Sequence, residues 1–379
     1  MNLFNVYSLF EITPVKGRGA YIYDKDGKEY LDFYGGHAVI SIGHSHPHYI
    51  KRIKNQLEQL GFYSNSVINP LQQELSDNLE KASGLKTHDL FLINSGAEAN
   101  ENALKLASFY NGRSKILALN NSFHGRTSAA INVTHSGQKH QSPINKGINV
   151  TYCHHNDTEQ ILKEIKSGQY AAMIIEAIQG VGGLDMIKND LLLEIESVAR
   201  ESDTLLIMDE VQCGYGRSGD FFAFQSSGIQ PDLITMAKGM GNGFPIGGVL
   251  IKSDKIPAIP SRLGTTYGGN HLACAAGIAV LEVIMSESLV ENARNRGNEL
   301  RKELQSFPLI RKIKGKGLMF GVEFDFPVKS LRSNLIHSHG LFTGSSSNPN
   351  LLRLLPPLNI GDKEVDAFLT KLKNGLKHL

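Results

Sequence analysis

The stretch "DLITMAKGMGNGFPIGGVLIK", residues 232–252, sets an apolar run, a lysine and a string of glycines in direct succession. Its apolar run is continuous rather than alternating, the mark of a strand buried on both faces. Runs of the same kind stand upstream at "DLFLIN" (89–94), "KILALN" (115–120), "AAMIIE" (171–176) and "TLLIMDE" (204–210), with "GGVLIK" (247–252) closing the quoted stretch. Amphipathic segments separate most of them, so the pattern predicts an α/β fold with a largely parallel sheet. Lys238 then falls at a strand end, where a lone lysine ordinarily snorkels to water. Other residues must say why an amine is placed there.

Outward from this core the elements are simpler. "GAYIYDKDGKEYLDF" (19–33) holds a turn between two aromatic-rich runs and predicts a hairpin. "HPHYIKRIKNQLEQLG" (46–61) predicts a helix opened by Pro47. A long helical pattern begins near residue 272 and is interrupted near Glu287. After it, "IRKIKGKGLMFGVEFDF" and "NLLRLLPPLNI" read as strands of a smaller α+β unit, and a last helix takes Asp362 as its N-cap.

Composition narrows the class. At 379 residues, 41% hydrophobic and 20% charged, the chain can bury a large core. A net charge of +2 offers no electrostatic case for nucleic acid or an anionic membrane surface. Three scattered cysteines, Cys153, Cys213 and Cys274, suit neither a disulfide framework nor a zinc site. "MNLFNVYSLFEITP" lacks the basic and long apolar regions of a signal peptide, and no apolar run is long enough to span a bilayer. The expectation is a cytoplasmic enzyme or binding protein.

Open parallel sheets bind ligands beyond the carboxyl ends of their strands. Those ends carry Ser95, Phe123 with His124, Glu176, Asp209 and Lys238. In "NSGAEANENALKLA" (94–107), Ser95 and Glu98 fit a capping box, and Gly96 and Ala97 let a ligand approach the helix N-terminus, a natural phosphate site. A phosphate cup, an amine, a carboxylate and an aromatic face together suit pyridoxal 5'-phosphate. Lys238 would take its aldehyde as a Schiff base, Asp209 would keep its ring nitrogen protonated, and Phe123 would stack on the ring. Gln212 would donate to its phenolic oxygen.

These motifs, with "FHGRT" (123–127), "LLIMDEVQCGYGRSG" (205–219), "GTTYGGNHLACAA" (264–276), "GKGLMFG" (315–321) and "LRLLPPLNI" (352–360), resemble the class III pyridoxal-phosphate aminotransferases, and among them the acetylornithine group. The resemblance implies a fold-type I architecture, like that of aspartate aminotransferase. Residues 1–48 and 273–379 would form a small domain and 49–272 the large cofactor-binding domain. It implies a homodimer with shared active sites and δ-amino transfer between N2-acetyl-L-ornithine and 2-oxoglutarate, a step of arginine biosynthesis. Thr266 would reach the phosphate of the neighbouring subunit's cofactor, and Thr265 the substrate. Arg126 would hold the acylornithine carboxylate and Arg353 the α-carboxylate of glutamate or 2-oxoglutarate, a bidentate task suited to arginine. N-succinylornithine, ornithine and 4-aminobutyrate remain alternative amine substrates.

The chain departs from that pattern twice. "EAIQGVGG" (176–183) has Val181 where relatives carry a glutamate that covers the C-terminal arginine. Arg353 would then stay uncovered, borrow another acid or be screened by water. "GGHAVISIGH" (35–44) has His37 in place of an aliphatic residue, either a packed turn residue or a hydrogen-bonding partner for the acyl group. Two features are decoys on this reading. "HSHPH" (44–48) lacks reliable ligand geometry, and "GMGNGFPIG" (239–247) misses both the spacing and the acid of a dinucleotide site. A cofactor-free Schiff-base lyase would explain Lys238 but leave Asp209 idle.

Overall fold

The structure, a computed structural model, describes residues 1–135, 140–145 and 147–377. An N-terminal meander comprises β1 (Pro14–Arg18), β2 (Tyr21–Asp24) and β3 (Glu29–Asp32). The central strands are β4 (His88–Ile93), β5 (Lys115–Leu119), β6 (Val150–Cys153), β7 (Tyr170–Ile175), β8 (Leu205–Asp209), β9 (Leu233–Met236) and β10 (Gly247–Lys252). Then follow β11 (Ile310–Lys316), β12 (Met319–Phe324), β13 (Leu341–Phe342) and β14 (Leu351–Leu354).

The central sheet runs β4-β10-β9-β8-β7-β5-β6. Only β10 is antiparallel, to both neighbours, so the sheet is mixed but mostly parallel, as the apolar runs predicted. The continuous runs have a direct explanation in packing. Ile116, Ile174 and Ile207 face one apolar core, while Leu117, Met173 and Leu206 face the other. Burying one such side chain contributes about 1.5–3 kcal/mol, which is why both faces must be apolar. The edge strand β6, "VTYC", escaped the sequence reading because it is four residues long and half of it is polar or aromatic.

The helix Gly96–Asn111 joins β4 to β5 and lies across β7, β9 and β10. Ala99, Ala103 and Ala107 on its buried face let it come close to the sheet. The long helical pattern is two helices, His271–Ser286 and Leu289–Leu304, bent by 62° at the expected break. Ser288 turns the corner with φ 51°. No single helix among the described residues is long and apolar enough to cross a membrane. The last helix, Asp362–Leu376, takes Gly361 rather than Asp362 as N-cap, and the Gly361 N–H donates to Glu364 Oε2 at 2.9 Å. Glu364, three residues into the helix, thus reaches back to the N-cap backbone.

Chain ends meet in space. β13 pairs in parallel with β3, Leu341 beside Leu31, so the N-terminal meander and a late strand share one sheet of order β1-β2-β3-β13. β11, β12 and β14 form a separate antiparallel sheet that carries Arg353. The imidazoles of "HSHPH" diverge to three different carboxylates: His44 to Asp32 at 2.8 Å, His46 to Glu287 at 2.9 Å and His48 to Glu282 at 2.6 Å.

Candidate active site

Asp209 ends β8, Glu176 follows β7, Lys238 lies just past β9, and the chain after β5 leads into Phe123 and His124. Their side chains meet Gly96 and Ala97 around a cavity of about 180 Å³ at the carboxyl rim of the sheet. Gln212 and Val181 complete its wall.

Asp209 is held by three donors. Its Oδ2 accepts from His124 Nδ1 at 2.7 Å and from Asn100 Nδ2 at 2.8 Å, and its Oδ1 accepts from the Val211 N–H at 3.0 Å. With 3% of its surface exposed, the carboxylate needs these bonds to offset the loss of water. Oδ1 has one backbone partner and so keeps acceptor capacity toward the cavity.

Lys238 sits in a tight turn with φ 47°, a left-handed backbone that costs a non-glycine residue about 1 kcal/mol or more. Neighbouring bonds hold it there. The Gly241 N–H donates to the Lys238 carbonyl at 3.0 Å, and Ser41 Oγ donates to the Gly239 carbonyl at 2.7 Å. Asn242 Oδ1 accepts the Ser41 and Ile42 N–H groups, so the N-terminal segment buckles onto this turn. Lys238 Nζ makes no hydrogen bond or ion pair among the described residues. Burial lowers its pKa; the Arg353 charge lowers it further, while Asp209 and Glu176 pull the other way.

The helix N-terminus is capped almost as expected. Ser95 Oγ accepts from the Glu98 N–H at 3.3 Å, but Glu98 Oε2 reaches back to the Asn94 N–H at 2.7 Å, one residue before the predicted partner. A Cβ on Gly96 would stand 2.5 Å from Val211 Cγ1, so only glycine fits against that wall.

Arg353 arrives from β14, almost wholly buried. Its Nη1 donates to the Gly180 carbonyl at 2.8 Å and to Gln212 Oε1 at 3.1 Å, and its Nε has no partner. No carboxylate pairs with it among the described residues. Arg353 borrows no other acid among the described residues: a carbonyl and an amide oxygen meet its Nη1. Gln212 Nε2 in turn donates to the His37 carbonyl at 3.1 Å, which leaves one of its two N–H groups for other partners.

His37 is not a packed residue. It is exposed with φ 70°, its ring hydrogen-bonded to the Tyr34 hydroxyl and its carbonyl to Gln212 of the cavity wall. Partial desolvation against the site wall, then the charges of Arg353, Lys238 and Arg126, push its pKa down to about 4. Arg126 is exposed, near enough for its charge to act on His37. Thr265 and Thr266 do not line the cavity. Thr265 Oγ1 accepts from Asn94 Nδ2 at 3.3 Å, beside the capped helix, while Thr266 is exposed. Asn100 and Tyr34 escaped the sequence reading. Asn100 left one signal, a polar residue on the otherwise small and apolar face of its helix.

The family model for class-III aminotransferases matches residues 5–376. This chain belongs to the class-III aminotransferases. Within that family it is 38% identical to acetylornithine aminotransferase of Bacillus subtilis, over 100% of this chain and 98% of the relative. It is 39% identical to that of Clostridium acetobutylicum, over 99% of each. Among solved structures, ornithine aminotransferase from Toxoplasma gondii ME49 superposes with a TM-score of 0.91 at 29% identity, covering 99% of this chain and 93% of that one. The T. gondii enzyme crystallized in the presence of oxidized glutathione, with partial occupancy of PLP at its active site, gives 0.89 at 29% identity over 98% and 92%.

Class-III aminotransferases work with pyridoxal phosphate, and this cavity fits that group. The unpartnered Lys238 amine suits an aldehyde, the orphaned His124 Nε2 and the open side of Asp209 face a polar ligand, and the Gly96 wall admits no Cβ. The helix start at Gly96 and Ala97 presents unsatisfied N–H groups of the kind that bind phosphate.

Proposed function

We propose that this aminotransferase moves the δ-amino group of N2-acetyl-L-ornithine to 2-oxoglutarate, giving N-acetyl-L-glutamate 5-semialdehyde and glutamate, as in arginine biosynthesis. The observation that carries the reading is the Lys238 amine, its pKa lowered by desolvation, sharing one cavity with Asp209 and a phosphate-ready helix start. Full-length likeness to acetylornithine aminotransferases supports the choice of substrate.

Pyridoxal phosphate, when bound, supplies an aldehyde that condenses with amines and a cationic ring that draws electrons from the substrate carbon. The chain does the rest. Ser95 caps the helix whose Gly96 and Ala97 N–H groups would hold the phosphate. Phe123 would lie against the ring, Asp209 would hold the protonated ring nitrogen, and Gln212 would offer its second N–H to the phenolic oxygen. Lys238 Nζ would take the proton from the amine-bearing carbon of the substrate and deliver it to the carbon derived from the cofactor's aldehyde, a task that its lowered pKa favours. Arg353 orients the α-carboxylate of 2-oxoglutarate or glutamate. Arg126, exposed and next in the chain to Gly125 of the cavity wall, would orient the carboxylate of the acylornithine. Thr265 and Thr266 lie outside the cavity of their own chain, and on this reading serve the partner's site in a cytoplasmic homodimer. Residues 1–48 and 273–379 would close as a small domain over the large one.

A second amine, N-succinyl-L-ornithine, is favoured by one feature: the exposed His37 ring stands in the field of three arginines, Arg353, Arg126 and Arg332, where an extra carboxylate would be welcome. One experiment separates the readings. The yellow holoenzyme is mixed, without keto acid, with N-acetylornithine, N-succinylornithine, ornithine or 4-aminobutyrate, and the loss of yellow absorption is timed. Fastest loss with N-acetylornithine supports the proposal. Loss with ornithine or 4-aminobutyrate alone would sink it.

A further inference from the structure

Glu176 is the one carboxylate in the cavity wall with no task in that reaction. It follows β7 directly, is 6% exposed, and spends both oxygens on backbone amides. Oε1 accepts from the Phe123 N–H at 2.9 Å, and Oε2 accepts from the Gly180 N–H at 3.0 Å. The two amides belong to different loops, one after β5 and one after β7. Gly180 is also the residue whose carbonyl receives Arg353 Nη1 at 2.8 Å. A single buried carboxyl group therefore ties the loop that carries the cavity's aromatic face to the loop that holds its arginine.

Burial makes this an expensive place for a carboxyl group, and it raises the Glu176 pKa, with His124 opposing the rise and Asp209 adding to it. An apolar side chain would avoid that cost but would strand two buried N–H groups. Glutamine would not replace it either, because its one oxygen satisfies one amide while its NH2 group faces the other, donor against donor. Only a carboxyl group of this length accepts from both.

We infer that Glu176 is a positioning residue: it sets Phe123 against the cofactor ring and Arg353 against the carboxylate of the keto acid as one unit. The inference rests on the functional reading above, in which the cavity takes pyridoxal phosphate and Arg353 takes a carboxylate. It gives the chain a device for coupling cofactor binding to keto-acid binding through two backbone amides.

The test compares wild type with Glu176→Gln and Glu176→Asp as full-length protein. Three quantities are measured: the pyridoxal phosphate dissociation constant, by titrating cofactor-free protein and following visible circular dichroism; the KM for 2-oxoglutarate; and the KM for the acylornithine. Glu176→Gln is expected to weaken cofactor binding or raise the 2-oxoglutarate KM by about tenfold, according to which amide keeps the oxygen. The acylornithine KM, set at Arg126, moves less than twofold, and in an Arg353→Lys background the added effect on 2-oxoglutarate disappears. Glu176→Asp, too short to span both amides, gives the same split and decides the matter if the glutamine variant does not fold. Cofactor affinity, dichroism and 2-oxoglutarate KM all within twofold of wild type would overturn the inference, as would equal rises in both KM values. Wild-type protein that takes up no pyridoxal phosphate would instead bring down the functional reading itself.

Discussion

Arg353 is covered by Gln212, whose Oε1 lies 3.1 Å from its Nη1, and not by a carboxylate. A neutral acceptor takes one guanidinium N–H without cancelling the charge. An incoming carboxylate then has no ion pair to break before it can bind, only an amide oxygen to displace. The side chain that lines the cavity one residue past Gly180 is Val181, which has no charge to offer.

Placing a carboxylate in that wall should therefore cost keto-acid binding. Val181→Glu is expected to raise the KM for 2-oxoglutarate roughly tenfold, about 1.4 kcal/mol, and to leave the acylornithine KM near its wild-type value. Steady-state kinetics with each substrate varied in turn provides the check. Unchanged values for both would mean that Arg353 does not meet the α-carboxylate.

Lys238 Nζ is the only amine in the described wall of the cavity, and burial favours its unprotonated form. Lys238→Ala is expected to slow the amine half-reaction by about 10³-fold or more, with the fold intact by circular dichroism. A rate within tenfold of wild type would remove Lys238 from the chemistry.

Asp209→Asn keeps an oxygen for His124 and Asn100 but turns an NH2 group toward the side that now accepts from Val211. Cofactor should still bind, while the half-reaction falls about 10³-fold. That figure corresponds to the roughly 4 kcal/mol that a carboxylate gives a cation at about 4 Å in a protein-like dielectric. Rapid mixing of the variant with the amine substrate measures it.

Glu210 supplies a test of stability against pH. Its carboxyl group, 1% exposed, accepts from the Ala223 and Phe224 N–H groups at 2.9 and 3.1 Å, and burial pushes its pKa up to about 7. The folded state thus holds this proton more tightly than the unfolded chain does. The contribution is fully present below the ordinary carboxyl range and is lost as pH rises through 7, a change on the order of 3 kcal/mol. Urea unfolding of wild type and Glu210→Gln at pH 5 and pH 8 should show the wild-type advantage shrinking at the higher pH. A constant difference would mean that Glu210 titrates normally.

Much of the fold and site was legible because it is written locally. Strands buried on both faces must be apolar throughout, so β4, β5, β7, β8, β9 and β10 announced themselves, and with them the rim where ligands bind. Their end residues Phe123, Asp209 and Lys238 do line one cavity. Contacts between distant segments were not legible. Asn100 lies 109 residues from Asp209, and nothing local marks their 2.8 Å bond. The reach of Glu98 to Asn94 rather than to Ser95, and the Gly361 cap, are backbone details one residue beyond what spacing resolves.

The sequence alone determined the sheet, its ligand-binding rim and the residue types offered there, because periodicity and strand-end chemistry depend only on neighbours along the chain. Tertiary structure decided which groups those residues meet. It placed Arg353 against Gln212 across 141 residues, left the His37 ring exposed with its carbonyl on Gln212, and stretched Glu176 between two loops. Those relations depend on how β14 and the N-terminal meander close over the central sheet. Closure is a property of packing between segments far apart in sequence, which no window along the chain contains.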